Sequence, residues 1–120
     1  MRLISSLLFA VLMLFSDGAF AQVGPAYTNR DCSIASLSGS SQTIAVANPN
    51  RKFLGIYNSG ATTVWVNVAG GTAAVNGTSS IVLPSTYSLI FSAQPGAGVA
   101  SNAITVIGTA AQPLTCFEGR

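Results

Sequence analysis

Turn-forming residues interrupt this chain so often that the segments between them are too short for a helix of ordinary length. Within those segments, apolar and polar residues alternate with the period of two that places them on opposite faces of a β-strand. Parallel strands need crossover connections of a dozen or more residues, and the intervals here are shorter. The sequence therefore predicts an all-β fold, a single antiparallel β-sandwich or jelly-roll-like domain of about eight short strands.

The alternation also predicts where the strands lie and which side chains form the core. The predicted strands are residues 32–37, 43–47, 52–57, 63–69, 80–83, 87–92, 103–109 and 113–117, with a less regular piece at 73–75. In the sixth of these strands, either Leu89 and Phe91 or their neighbour Ile90 faces the core. The other residues expected to face the core are Ile44, Val46, Leu54, Ile56, Val64, Val66, Val68, Ile81, Leu83, Ile104, Val106, Leu114 and Cys116.

Residues 1–21 are predicted to be a cleaved signal peptide. Arg2 supplies a positive start, an apolar run follows, and Ala19-Phe20-Ala21 fits a cleavage site. The apolar run is about 13 residues long, short of the ~20 that a membrane-spanning helix needs. We therefore expect export to the periplasm or the cell exterior, with no membrane span after cleavage. Residues 22–30 are expected to form a flexible leader, and residues 31–120 the sandwich domain.

The two cysteines, Cys32 and Cys116, lie near the two ends of the predicted domain. In an oxidising compartment, a disulfide between them is the expected state. A disulfide that closes so long a loop is worth roughly 4 to 5 kcal/mol in the chain-entropy model. A zinc pair or a reactive thiol has little support, because the chain contains no His and no C-x-x-C motif.

The charged residues are too few to suggest nucleic-acid binding. Because the chain has no His, it cannot assemble a Ser-His-Asp or Cys-His site, and the commonest metal ligand is absent. We therefore expect no enzymatic activity, no metal and no cofactor. After residue 21 the charged residues are Arg30, Asp31, Arg51, Lys52, Glu118 and Arg120.

Two of these charged residues could in principle serve catalysis. Asp31 and Glu118 each neighbour a cysteine, so the predicted disulfide would bring them near each other as a glycosidase-like pair of carboxylates. We favour a solvated ion-pair patch instead, because both acids lie close to Arg30 or Arg120. The adjacent basic pair, residues 51–52, is expected to be an edge or solvent feature.

The stretch at residues 48–68 shows the clearest alternation and is interpreted as a β-hairpin. If Ile56 lies opposite Val64, then Gly55 lies opposite Trp65 and leaves room for the indole ring to cover it. An outward aromatic patch of this kind can anchor a protein partner or stack on sugar rings. Alternatively, a loop, the leader or a second copy of the chain covers it. The candidate binding surface consists of Phe53, Tyr57 and Trp65.

The segment NPNRKFLGIYN at residues 48–58 is followed by VWVN at 64–67, GGTAA at 70–74 and IVLP at 81–84. Together these segments resemble small β-rich proteins of tailed bacteriophages, over residues 41–91. The resemblance implies a virion or virion-associated accessory module with no catalytic residues. The signal peptide and the disulfide depart from that pattern, because ordinary virion proteins assemble in the cytoplasm. A secreted or periplasmic bacterial module therefore remains open.

These observations predict a non-enzymatic exported protein that acts through its surface. A structural or interaction role, with an origin in a phage or mobile element, fits the resemblance. The expected partner is another protein or a second copy of the chain. The alternative is a carbohydrate-binding or adhesion module that uses the aromatic patch.

Overall fold

The computed structural model describes residues 28–93 and 98–120. These residues form strands without helices, which confirms the all-β prediction. The predicted signal peptide lies outside the described residues, as does most of the predicted leader, whose last two residues belong to the first strand. The strands are β1 (Asn29–Asp31), β2 (Gln42–Ala45), β3 (Phe53–Tyr57), β4 (Val64–Asn67), β5 (Ile81–Leu83), β6 (Ser88–Ser92), β7 (Ile104–Gly108) and β8 (Thr115–Gly119).

The strands form two antiparallel sheets of four. Sheet I has the order β1-β8-β3-β6, and sheet II has the order β2-β7-β4-β5. Among the described strands, only β4 and β5 are both consecutive in the chain and paired with each other. Each of the other connections between successive described strands crosses from one sheet to the other. The crossings place inward side chains of both sheets in one shared core.

The core consists mainly of the aliphatic residues that the alternation predicts to face inward. Two predicted members, Val46 and Ile81, are exposed instead. A register shift between Thr43 and Ala45 buries both Ile44 and Ala45, and the residue that follows turns outward. Ile81 lies on β5, an edge strand of sheet II, where less of the other sheet covers it. The buried cluster is Cys32, Leu37, Ile44, Ala45, Leu54, Ile56, Val64, Val66, Leu83, Ile104, Val106, Leu114 and Cys116.

The predicted hairpin between β3 and β4 is wrong. β3 pairs with β6 and β8, whereas β4 pairs with β5 and β7. Gly55 therefore lies opposite Ile90 and Phe117 rather than opposite Trp65. The inward faces of both strands are nevertheless correct, because alternation decides the face of a side chain independently of the strand that it pairs with.

Asn58 anchors the chain where it leaves β3 and crosses to sheet II. Its side chain is fully buried and donates hydrogen bonds to the carbonyls of Thr62 (2.8 Å) and Leu83 (2.9 Å), while its Oδ1 accepts one from the Gly60 N–H (3.0 Å). Its own backbone N–H donates to Tyr87 O (3.0 Å). Asn58 thus links the β3–β4 connection to the β5–β6 connection by hydrogen bonds. The chain enters sheet II at this point instead of forming a hairpin.

The predicted disulfide is present between Cys32 and Cys116, with their Cα atoms 4.8 Å apart. It links the chain after β1 to β8 across a sequence separation of 84 residues. The Cys32 N–H also donates to Cys116 O at 2.9 Å, so the bond reinforces a backbone contact. A disulfide is compatible with an exported protein. None of the described residues belongs to a helix long and apolar enough to cross a membrane.

Candidate functional site

The outer face of sheet I exposes a cluster of large apolar side chains. Leu54 and Ile56 point into the core, so the alternate residues of β3 point outward. The register of the sheet adds side chains from β6 and β8 to the same face. Ile90 is 65% exposed, Phe117 49% and Tyr57 40%, and Phe53 is half-buried. We call Phe53, Tyr57, Ile90 and Phe117 the outer apolar patch.

Gly55 lies at the centre of this patch, beneath an aromatic ring. A Cβ at Gly55 would lie 3.1 and 3.2 Å from the Cζ and Cε1 atoms of Phe53, so the ring of Phe53 covers the glycine. The aromatic-over-glycine contact predicted for Trp65 is therefore made by Phe53, from the same strand. The patch contains a shallow depression of about 190 Å³, lined by Phe53, Gly55, Ile56, Tyr57, Ser88, Ile90, Thr115 and Phe117.

Trp65 does not share a face with Phe53 and Tyr57. It is half-buried on the outer face of sheet II, in register with Val82 and Ile107. Its Nε1 is buried and has no hydrogen-bond acceptor among the described residues. The three predicted surface residues are thus divided between opposite faces of the sandwich, and only Phe53 and Tyr57 lie together.

Two members of the outer apolar patch, Ile90 and Phe117, were not among the predicted surface residues. The outward direction of Phe117 could have been predicted from the sequence. If Cys116 faces the core, the next residue of the strand must face outward. For Ile90 the sequence left two registers open, and the structure places Leu89 and Phe91 against the core. The sequence did not predict that β3 pairs with β6 and β8. This pairing brings both residues beside Gly55.

The two carboxylates considered above as a catalytic pair point away from each other. Asp31 lies opposite Phe117, and Glu118 lies opposite Arg30, so the acids project from opposite faces of sheet I. Hydrogen bonds from the hydroxyl and backbone N–H of Ser33 lower the pKa of Asp31, with the N–H 2.8 Å from Oδ1. A general acid needs a raised pKa, so this arrangement does not suit Asp31 to the acid role of a glycosidase.

Glu118 belongs to a buried ion pair with Arg51 rather than to a solvated patch. Its carboxylate is 1% exposed, and the Arg51 side chain is fully buried. Glu118 Oε2 accepts from Arg51 Nε at 2.9 Å and lies 2.8 Å from an Nη atom of the same side chain. Arg30 and Arg120 approach Oε1 only to 4.0 and 3.9 Å and are about half exposed. The expectation that Arg51 is a solvent feature is therefore wrong.

The remaining N–H groups of Arg51 donate hydrogen bonds to segments that flank strands of sheet II. Its guanidinium donates to Val46 O (2.8 Å), which follows β2, and to Asn102 O (3.0 Å), which precedes β7. It also donates to the carbonyl of Ala100. Since β2 and β7 belong to sheet II and Glu118 lies in sheet I, the pair joins the layers at one end of the sandwich.

The outer apolar patch supplies apolar contact area and aromatic stacking, and the one ionisable side chain among its four residues is the Tyr57 phenol. Among residues 28–93 and 98–120, no cluster of three or more His, Cys, Asp or Glu is placed to hold a metal ion. Comparison of the whole chain with family models, with curated proteins and with solved structures found no match in any of the three.

Proposed function

We propose that this protein is a non-enzymatic, exported interaction module that contacts a protein partner through the outer apolar patch. Its role is that of a structural or virion-associated accessory protein of phage or mobile-element origin. The observation that supports the proposal is the exposure of Tyr57, Ile90 and Phe117 side by side on one sheet face. Contiguous exposed apolar surface of this kind is typical of protein–protein contact sites.

The composition of the patch favours a protein over a polar ligand. Its centre consists of two Phe residues, an Ile and a Gly. The side-chain hydroxyls near it lie at its two ends: those of Tyr57, Ser88 and Thr115 at one end, and that of Ser92, opposite Phe53, at the other. Interface centres are depleted in charge and enriched in aromatic residues, with polar groups at the rim. Aromatic side chains are also over-represented among the residues whose truncation weakens binding most.

Purified phage particles from the host provide the test. We expect the wild-type protein to be detected on the particles and the Phe117→Ser variant to be lost from them. Val82→Ser is the matched control, because Val82 is 53% exposed on the other sheet and lies outside the patch. Absence of the wild-type protein from every particle preparation removes the virion role. Equal retention of both variants removes the patch from the contact.

A carbohydrate-binding or adhesion role is the second candidate. The observation in its favour is the Phe53 ring lying over Gly55 next to the exposed Tyr57, which offers flat aromatic surface on which a sugar ring can stack. A glycan array distinguishes the two candidates. Binding that disappears in Tyr57→Ala but persists in Trp65→Ala supports this role, because Trp65 lies on the opposite sheet. No binding to any glycan leaves the protein-contact proposal in place.

A further inference from the structure

β6 is an edge strand whose outer backbone groups have no partner among the described residues. In sheet I it pairs on one side with β3 and is open on the other. The Ala93 N–H donates to Lys52 O (2.8 Å), and the Asn58 N–H donates to Tyr87 O (3.0 Å). Because backbone groups alternate in direction along an antiparallel strand, residues 87, 89, 91 and 93 bond to β3. The N–H and C=O groups of Ser88, Ile90 and Ser92 therefore point toward the open edge.

The other three sheet edges carry features that discourage pairing with another strand. β1 has three residues, two of which are the charged Arg30 and Asp31. β2 contains a register shift between Thr43 and Ala45. β5 has three residues and is followed at once by Pro84. Charges, irregular register, short length and proline are the ordinary ways in which proteins protect sheet edges. β6, with five uncharged residues and no proline, has none of them.

We infer that β6 pairs with β6 of a second copy of this chain across a two-fold axis at Ile90. The strand reads Ser-Leu-Ile-Phe-Ser, which is nearly the same in both directions about Ile90. Antiparallel pairing about that axis places Ile90 opposite Ile90 of the second copy and Ser88 opposite its Ser92. These are the residues whose backbone groups point outward, so each pair exchanges the two hydrogen bonds of an antiparallel ladder.

The side chains of β6 are compatible with this pairing on both faces of the sheet. On the inner face, Leu89 and Phe91 are half-buried and would lie opposite Phe91 and Leu89 of the second copy. On the outer face, two Ile90 side chains would meet between small serines and join the outer apolar patches of the copies. A five-residue edge contributes less than the ~800 Å² per partner of a standard interface. We therefore expect a reversible dimer whose population rises with protein concentration.

Cysteine cross-linking tests the two-fold register directly. Hydrogen-bonded pairs across antiparallel strands have Cα atoms about 5.5 Å apart, within the range of a disulfide. Under mild oxidation the Ile90→Cys variant is expected to form a covalent dimer. A mixture of the single variants Ser88→Cys and Ser92→Cys is expected to form the mixed dimer in preference to either self-dimer. Val82→Cys is the matched control, since Val82 is similarly exposed on the β5 edge.

Light scattering over a concentration series provides a second measurement without an added cysteine. Ile90→Pro removes the central outward N–H while leaving the bonds to β3 in place, since proline is tolerated where the N–H faces away from the sheet. We expect its self-association to be at least about tenfold weaker than that of Ile90→Ala, which keeps the N–H. Circular dichroism establishes that both variants retain the fold.

A wild-type protein that stays monomeric at every concentration, or cross-linking of Val82→Cys as efficient as that of Ile90→Cys, overturns the inference. The inference rests on the proposed function only in that both use sheet I for contact. The Phe117→Ser substitution separates them, because it alters the patch and leaves the β6 edge intact. In the Ile90→Cys background it should preserve the cross-link, even where it abolishes attachment to particles.

Discussion

Replacing Arg51 with Met should destabilise the protein more than most single substitutions in this chain. The change keeps an unbranched stem in the buried channel but removes the guanidinium that pairs with Glu118. It also removes the donors to Val46 O and Asn102 O, two carbonyls of the segments that flank sheet II strands. Glu118 would then be buried with Asn48 Nδ2, at 3.3 Å, as its one hydrogen-bond donor among the described residues.

The magnitude follows from the burial of both partners. Removing one member of a buried ion pair typically costs about 3 to 5 kcal/mol, because the other charge loses its close partner. Arg30 and Arg120 remain 4.0 and 3.9 Å from Glu118 Oε1 but are about half exposed, so we expect a loss at the lower end of that range. For a domain of this size, each kcal/mol corresponds to roughly 4 to 8 °C in Tm, so a fall of at least about 12 °C is expected. Lys52→Met is the matched control. Lys52 is the next residue and is exposed, so its substitution should change stability by no more than about 0.5 kcal/mol.

Urea unfolding followed by circular dichroism measures the effect, with the disulfide kept intact in all variants. The double variant Arg51→Met/Glu118→Leu should recover much of the loss, since replacing both charges by apolar groups removes the buried carboxylate that has lost its close partner. A loss below about 1 kcal/mol in the single variant would refute the reasoning. So would a double variant that is no more stable than Arg51→Met, because the loss would then come from packing or from the unpaired carbonyls of Val46 and Asn102 rather than from the charge of Glu118.

Two further stability predictions concern the connections between the sheets. Asn58→Ala should lower the free energy of unfolding, measured in urea, by about 2 to 4 kcal/mol, because it leaves buried backbone groups without hydrogen-bond partners. The control Asn102→Ala removes one exposed hydrogen bond to Ala69 O and should lower it by less than about 1 kcal/mol. Replacing both Cys32 and Cys116 with Ala should cost about 2 to 5 kcal/mol, and thermal unfolding with and without reductant should show a reductant-sensitive Tm in the wild type alone.

Alternation along the sequence predicts the faces of most side chains because the period of a strand is a local property. Leu54, Ile56, Val64 and Val66 are buried as predicted, although the strands that carry them pair with different neighbours than expected. The prediction fails where the local period is broken. The register shift before Ala45 exposes Val46, and no residue type in that segment is specific to a β-bulge.

Strand pairing was not predictable in the same way, because it depends on contacts between distant residues. The segment Asn58-Ser59-Gly60 has turn chemistry, and a turn between two alternating segments favours a hairpin. In the structure, however, Asn58 bonds to Leu83 and Tyr87, which lie more than twenty residues further along the chain. The position of Trp65 follows from the same contacts, and with it the division of the predicted binding surface.

The edges of sheet I also bear on how far self-association can proceed. A two-fold pairing uses the β6 edge of both copies, so the joined sheet would end at the two β1 strands. Each of those outer edges carries Arg30 and Asp31 and is only three residues long, which opposes the addition of a further strand. The edges of sheet II are protected by a register shift and by Pro84. The proposed association through β6 would therefore close at a dimer instead of growing into a fibre, and the paired outer apolar patches would form one continuous face for a larger partner.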